Sequence, residues 1–130
     1  MYGAIIGDVV GSPYEFARNK RKDFSPLFHP KAGITDDTIM TVAVADSLLN
    51  EIHPAESMRY WARQVLPTES LGGYGAGFMK WLAAPEIQPA YNSYGNGAAM
   101  RVSPVAWLFD DLPTALEVTK IVTEVSHSHP

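Results

Sequence analysis

Apolar positions along the chain recur on a helical period, and nowhere do they alternate with polar ones over a length that would make a strand. The densest run is Ile39 to Leu49, in which Ile39, Met40, Val42, Ala43, Val44, Ala45, Leu48 and Leu49 leave almost no polar face. A helix apolar on every side belongs at the centre of a bundle. Pro54 to Leu66 predicts an amphipathic helix through Met58, Trp61, Ala62 and Val65, ended by Pro67. Further helices are expected from about Ala76 to Ala84, from Ala98 to Phe109 with Pro104 in its first turns or at a kink, and from Pro113 to Ser126. At the amino end, Met1 to Val10 reads as a short buried helix, with Gly3, Gly7 and Gly11 four apart so that another backbone can pack closely on that face. Residues 17–34, polar and punctuated by Pro26 and Pro30, read as an exposed loop, and so does the Tyr-, Asn- and Gly-rich stretch from Pro89 to Gly97. The expected fold class is all-α, with residues 1–130 forming a single domain.

Composition narrows the chemistry. With 46% hydrophobic and 18% charged residues the chain is globular, and its net charge of −4 gives it no general attraction for nucleic acid or anionic membrane. There is no cysteine, which excludes disulfides, thiolate metal sites and a thiol nucleophile. Asp8 interrupts the only apolar stretch near the start, and no basic segment precedes it, so a secretory leader is not expected and a cytoplasmic location is. No run approaches the ~18 consecutive apolar residues of a membrane span.

Carboxylates, hydroxyls and imidazoles remain. Thr35-Asp36-Asp37-Thr38 stands immediately before the central helix. Adjacent carboxylates with a hydroxyl are hard oxygen donors suited to Mg²⁺, Ca²⁺ or Mn²⁺, yet the same residues are what an N-cap and the helix dipole select. Glu15, after the turn Gly11-Ser12-Pro13-Tyr14, reads either as a carboxylate presented to a cleft, where it can orient or deprotonate water, or as a surface acid. Asp8 is assigned a structural, hydrogen-bonding role. Gly72-Gly73-Tyr74-Gly75-Ala76-Gly77 and Asn92-Ser93-Tyr94-Gly95-Asn96-Gly97 each lead into a helix, where bare amides can bind a diphosphate or simply form turns. Neither is a Walker loop or a dinucleotide fingerprint. His127 and His129 lack a third zinc ligand, so hydrogen bonding is their better assignment.

In order along the chain, Gly3-Ala4-Ile5-Ile6-Gly7-Asp8 with Glu15, Thr35-Asp36-Asp37-Thr38, Gly73-Tyr74-Gly75-Ala76-Gly77, Tyr94-Gly95-Asn96-Gly97-Ala98-Ala99-Met100-Arg101 and Ser126-His127-Ser128-His129-Pro130 together resemble the ADP-ribosylglycohydrolase family. The resemblance implies an all-α fold around a centre of two Mg²⁺ or Mn²⁺ ions, acting on the glycosidic bond between ADP-ribose and a protein side chain or small acceptor. It also implies that Thr35, Asp36 and Asp37 are metal ligands, with Asp36 and Glu15 as the catalytic residues and Glu15 acting as acid or base or as an entrance gate. Gly75 and Gly77 would wrap the diphosphate and ribose, Ser93, Tyr94, Gly95, Asn96 and Gly97 would contact the diphosphate and distal ribose, and His127 would reach a sugar or phosphate.

One family feature is missing. The late acids Asp110, Asp111, Glu117 and Glu124 do not reproduce a second metal motif of the Asp-x-Asp-Thr kind, so the chain resembles about the first half of such a domain. Activity is therefore expected to need a complementary carboxyl-terminal chain, and apolar surface left uncovered would favour pairing with one or self-association. The alternatives are a non-catalytic protein of the same fold that binds ADP-ribose or another nucleotide or is purely structural, and a helical interaction module whose acids only cap helices.

Overall fold

The computed structural model describes residues 1–17, 19, 21–65 and 73–129. The predicted Pro67 stop, Gly72 and Pro130 lie outside the described residues. Among the described residues there are seven α-helices and no strand: α1 (Tyr2–Gly11), α2 (Asp36–Leu49), α3 (Pro54–Gln64), α4 (Ala76–Ala83), α5 (Gly97–Met100), α6 (Ser103–Leu108) and α7 (Leu112–Thr123). The chain is all-α, as expected. A single 3₁₀ turn, Ser12–Tyr14, follows α1. No helix among them is long and apolar enough to cross a membrane.

Helix α2 is the axis of the molecule. Ile39, Met40, Ala43 and Val44 on it are buried against Ala55, Met58 and Ala62 of α3, Phe78 and Trp81 of α4, Val105 of α6 and Val122 of α7. Burying apolar side chains in this way supplies most of the driving force for folding, roughly 1.5–3 kcal/mol for each large one. Helix starts follow local chemistry. The Thr35 hydroxyl accepts from the Asp37 amide at the start of α2, His53 Nδ1 from the Ala55 amide ahead of α3, and Asp111 from the Thr114 amide ahead of α7. Proline occupies the first turn of α3, α6 and α7, where its missing N–H costs nothing.

Two expectations need correction. Helix α1 is not buried: Val10 is its only buried residue, Tyr2 is 81% exposed, and a Cβ added at Gly3, Gly7 or Gly11 would meet no atom within 4 Å. A glycine stripe permits close approach of a backbone but does not supply one. The run from Ala98 to Phe109 is not one helix but two, α5 and α6, broken at Arg101 and Val102. Pro104 cannot donate to a preceding turn, so it restarts the helix and does not continue it.

Candidate functional site

Helix α1 is tied to the start of α2 by one carboxylate. Asp8 accepts from the Thr35 amide (2.9 Å), the Thr38 amide (3.2 Å), the Thr35 hydroxyl (2.6 Å) and the Thr38 hydroxyl. It places negative charge at the positive end of α2 and meets amides that the helix leaves unbonded. This is the structural role expected of Asp8, although its partners are distant in sequence. Thr35 is buried, and its hydroxyl also accepts from the Asp37 amide at 3.2 Å. Its N-cap role is therefore observed, and one lone pair remains for another contact.

Asp36 and Asp37 begin α2 and are half-buried near Asp8 and Glu15. Burial pushes the Asp37 carboxyl up to about 6, and the neighbouring charges of Asp36, Asp8 and Glu15 push the same way. Asp36 is also raised, by burial first and by Asp8 after it, with partial relief from a backbone hydrogen bond. Glu15 stands at the exposed rim beyond the 3₁₀ turn, and the part of it that is covered, followed by Asp36 and Asp8, raises its carboxyl. The two ion pairs found among the described residues, Arg21–Asp23 and Lys120–Glu124, do not reach this group. Among the described residues no three acidic or imidazole groups close into a complete metal site. The donors present, Asp36, Asp37 and the Thr35 hydroxyl, are hard oxygens carrying uncompensated charge, which fits part of the ligand set of Mg²⁺ or Mn²⁺.

Asp36 also lines a cleft, and there it meets both glycine-rich segments. Gly75 and Gly77 form one side, Ser93, Gly95, Asn96 and Gly97 another, and His127 stands among them. Thr35, Asp37 and Glu15 are not in its lining, and Tyr94 is 87% exposed, its ring 6.2 Å from that of His129. The enclosed space is about 150 Å³. Pockets that engulf a whole ligand run to roughly 300–1,000 Å³, so this cleft is too small to enclose one by itself.

Four other residues shape the cleft, and sequence reasoning gave none of them a role. A Cβ on Gly77 would lie 2.9 Å from Tyr91 Cε2, so close packing of the Tyr91 ring already requires glycine there. The Tyr74 hydroxyl is buried without a hydrogen-bond partner, and burial together with nearby Asp36 raises its pKa. Arg101 lines the cleft while only 2% exposed. Met100, beside it, ties the end of α5 to α2 through its carbonyl, which accepts from the Thr41 hydroxyl at 3.1 Å. The signal for Arg101 was a cation directly after an apolar helical segment, since a buried cation must find acceptors.

Fold and site together define an all-α protein in which an acidic, oxygen-donor helix start faces glycine-rich loops across one cleft. The chain belongs to the ADP-ribosylglycohydrolase family, whose model matches residues 1–130. It is 30% identical to ADP-ribosylhydrolase ARH3 of Mus musculus, over 97% of this chain and 42% of the relative. The Homo sapiens protein of that name is 29% identical over 97% and 43%, and the Danio rerio protein 29% over 98% and 41%. The chain thus spans less than half the length of these curated relatives. No solved structure matches it.

Proposed function

We propose that this chain forms one part of a metal-dependent cleft that hydrolyses the glycosidic bond between ADP-ribose and a protein side chain or small acceptor. The observation that carries the reading is the meeting of Asp36, from the acidic group, with both glycine-rich segments and His127 in a single cleft. Family membership and the name of the relatives, ADP-ribosylhydrolase, support the same chemistry. In this reading Thr35, Asp36 and Asp37 hold part of a two-ion Mg²⁺ or Mn²⁺ centre, and a cation offsets the burial and the like charges that raise Asp37. Held by Thr35, Asp36 and Asp37, such ions would supply Lewis acidity toward a water and the substrate hydroxyls, the chemistry that glycosidic hydrolysis draws on. Glu15, with its raised carboxyl at the rim, is the acid or base that moves a proton to or from that water. The Ser93 and Gly95 amides are taken by the Ser126 carbonyl and the Ser93 hydroxyl, so the amides of Gly75, Gly77, Asn96 and Gly97 receive the diphosphate and ribose within the loops that Ser93, Tyr94 and Gly95 complete.

The missing donors come from a complementary chain or segment. Exposed apolar side chains support this: Tyr2 and Ile6 on α1, Trp107 on α6, and Leu112 and Leu116 on α7. Titration calorimetry with ADP-ribose, with Mg²⁺ and then with chelator, tests the reading. Binding that needs Mg²⁺ supports it, metal-independent binding turns the protein into a non-catalytic nucleotide binder, and absence of binding leaves a helical module. Light scattering tests the pairing, which a compact monomer indifferent to added carboxyl-terminal segment of a relative would overturn.

A further inference from the structure

Arg101 carries a buried positive charge, and none of its hydrogen-bond acceptors is a carboxylate. Its Nε and Nη2 donate to the Val122 carbonyl at 3.2 and 2.9 Å, and Nη2 also reaches the Thr123 carbonyl at 3.2 Å. These carbonyls end α7, where the helix dipole is negative, so the cation is held by the end of a helix. Nη2 then donates to Ser126 Oγ at 2.7 Å, and Ser126 Oγ lies 2.8 Å from His127 Nδ1. On the far side of the ring, His127 Nε2 lies 2.9 Å from the Gly95 carbonyl oxygen.

The direction of this chain follows from its two ends. A carbonyl only accepts, so Nε2 must carry the hydrogen, and in the neutral ring Nδ1 is then an acceptor. The Ser126 hydroxyl must therefore donate to Nδ1, which leaves its lone pairs for the Arg101 guanidinium, a group that can only donate. Reversing the ring would set the Nε2 lone pair against that of the carbonyl. The loop is also held at Ser93, whose amide donates to the Ser126 carbonyl at 2.9 Å. Ser126 thus grips the loop directly at Ser93 and through His127 at Gly95.

We propose that Arg101 and Ser126 are positioning residues, which hold His127 in its Nε2–H tautomer and through it fix the Ser93 to Gly97 loop in the form that receives ligand. His127 acts on that loop, and the ligand gains because loop order is established before binding. The inference rests on the reading of this loop as an ADP-ribose contact, but the hydrogen-bond chain stands without it.

Ring ¹⁵N chemical shifts of His127 in the wild-type chain test the chain of bonds with no substitution. A hydrogen on Nε2 is expected, and one on Nδ1 overturns the proposal. Ser126→Ala should leave the helical circular dichroism intact, remove the Nδ1 partner so that only the Gly95 carbonyl biases the ring and the Nδ1–H tautomer becomes detectable, and weaken ADP-ribose binding by about five- to tenfold, the range of one lost hydrogen bond. In a His127→Ala background the same Ser126→Ala change should cost almost no further affinity, because its effect passes through the ring. Arg101→Lys keeps the charge but not the fork, and should shift the tautomer in the same direction. If Ser126→Ala frees the tautomer yet leaves ADP-ribose affinity unchanged, or weakens it equally in both backgrounds, the positioning role is wrong. If the wild-type chain binds no ADP-ribose the functional reading falls, and the ring shifts of wild type and Ser126→Ala alone decide the hydrogen-bond chain.

Discussion

On the α1–α2 side of the cleft, Asp8, Glu15, Asp36 and Asp37 are gathered near one another, and burial and mutual repulsion raise three of them. On the opposite side, Arg101, Ser126 and His127 hand hydrogen bonds to one another and on to Gly95. The second wall is satisfied from within. The first keeps like charges close at a cost to stability, an arrangement found where charge is used and seldom where it only supports a fold. Asp8 is the exception within the acidic wall, because its carboxylate is met by four donors.

The sharpest way to break this contrast is Arg101→Met. It leaves the Val122 carbonyl and Ser126 Oγ without the guanidinium, while the Thr123 carbonyl keeps the Ser126 and His127 amides, and urea unfolding should show a loss of about 2–4 kcal/mol. A loss below about 1 kcal/mol would mean that the wall does not depend on its cation. Asp8→Ala should follow, with a loss of about 2–3 kcal/mol by the same measurement, since it removes the bridge between α1 and α2 along with the charge at the start of α2. That result would separate the structural acid from the others.

Asp37→Asn should act in the opposite direction. With a folded-state pKa of about 6 against 3.8 when unconstrained, the folded protein takes up a proton that the unfolded chain does not, so this group destabilises fully above pH 6. As pH falls through 6 toward 3.8 that penalty is relieved. Because Asp37 is only half-buried, solvent screening reduces the effect to about 1 kcal/mol, which Asp37→Asn should recover near neutral pH in the absence of metal. The wild-type minus variant difference in unfolding free energy should shrink on going from neutral to acid pH, and an unchanged difference would show that the carboxyl is not raised. The smallest effect belongs to α1: Gly7→Ala should stabilise by about 0.5–1 kcal/mol in thermal unfolding, since its Cβ enters open space and alanine favours the helix. Destabilisation would mean that this face is covered in solution.

The sequence by itself determined the all-α class, the central place of α2 and the start of its helix. Those features are written locally: an apolar run without a polar face can only sit inside, and Thr35 caps the Asp37 amide two positions on. The acids and glycine loops were visible for the same reason, as residue types at short spacing. Only the tertiary structure decided that α1 is exposed, that Asp8 caps a helix 27 and 30 residues away, and that Gly95 and His127, 32 apart, hold each other. Helical periodicity extends over a few turns and carries no information about which distant segment meets which. Pro104 was expected in the first turns of one helix or at a kink, whereas the chain leaves the helix at Arg101 and Val102 and starts α6 with Pro104 in its first turn, packed against α2 and α7.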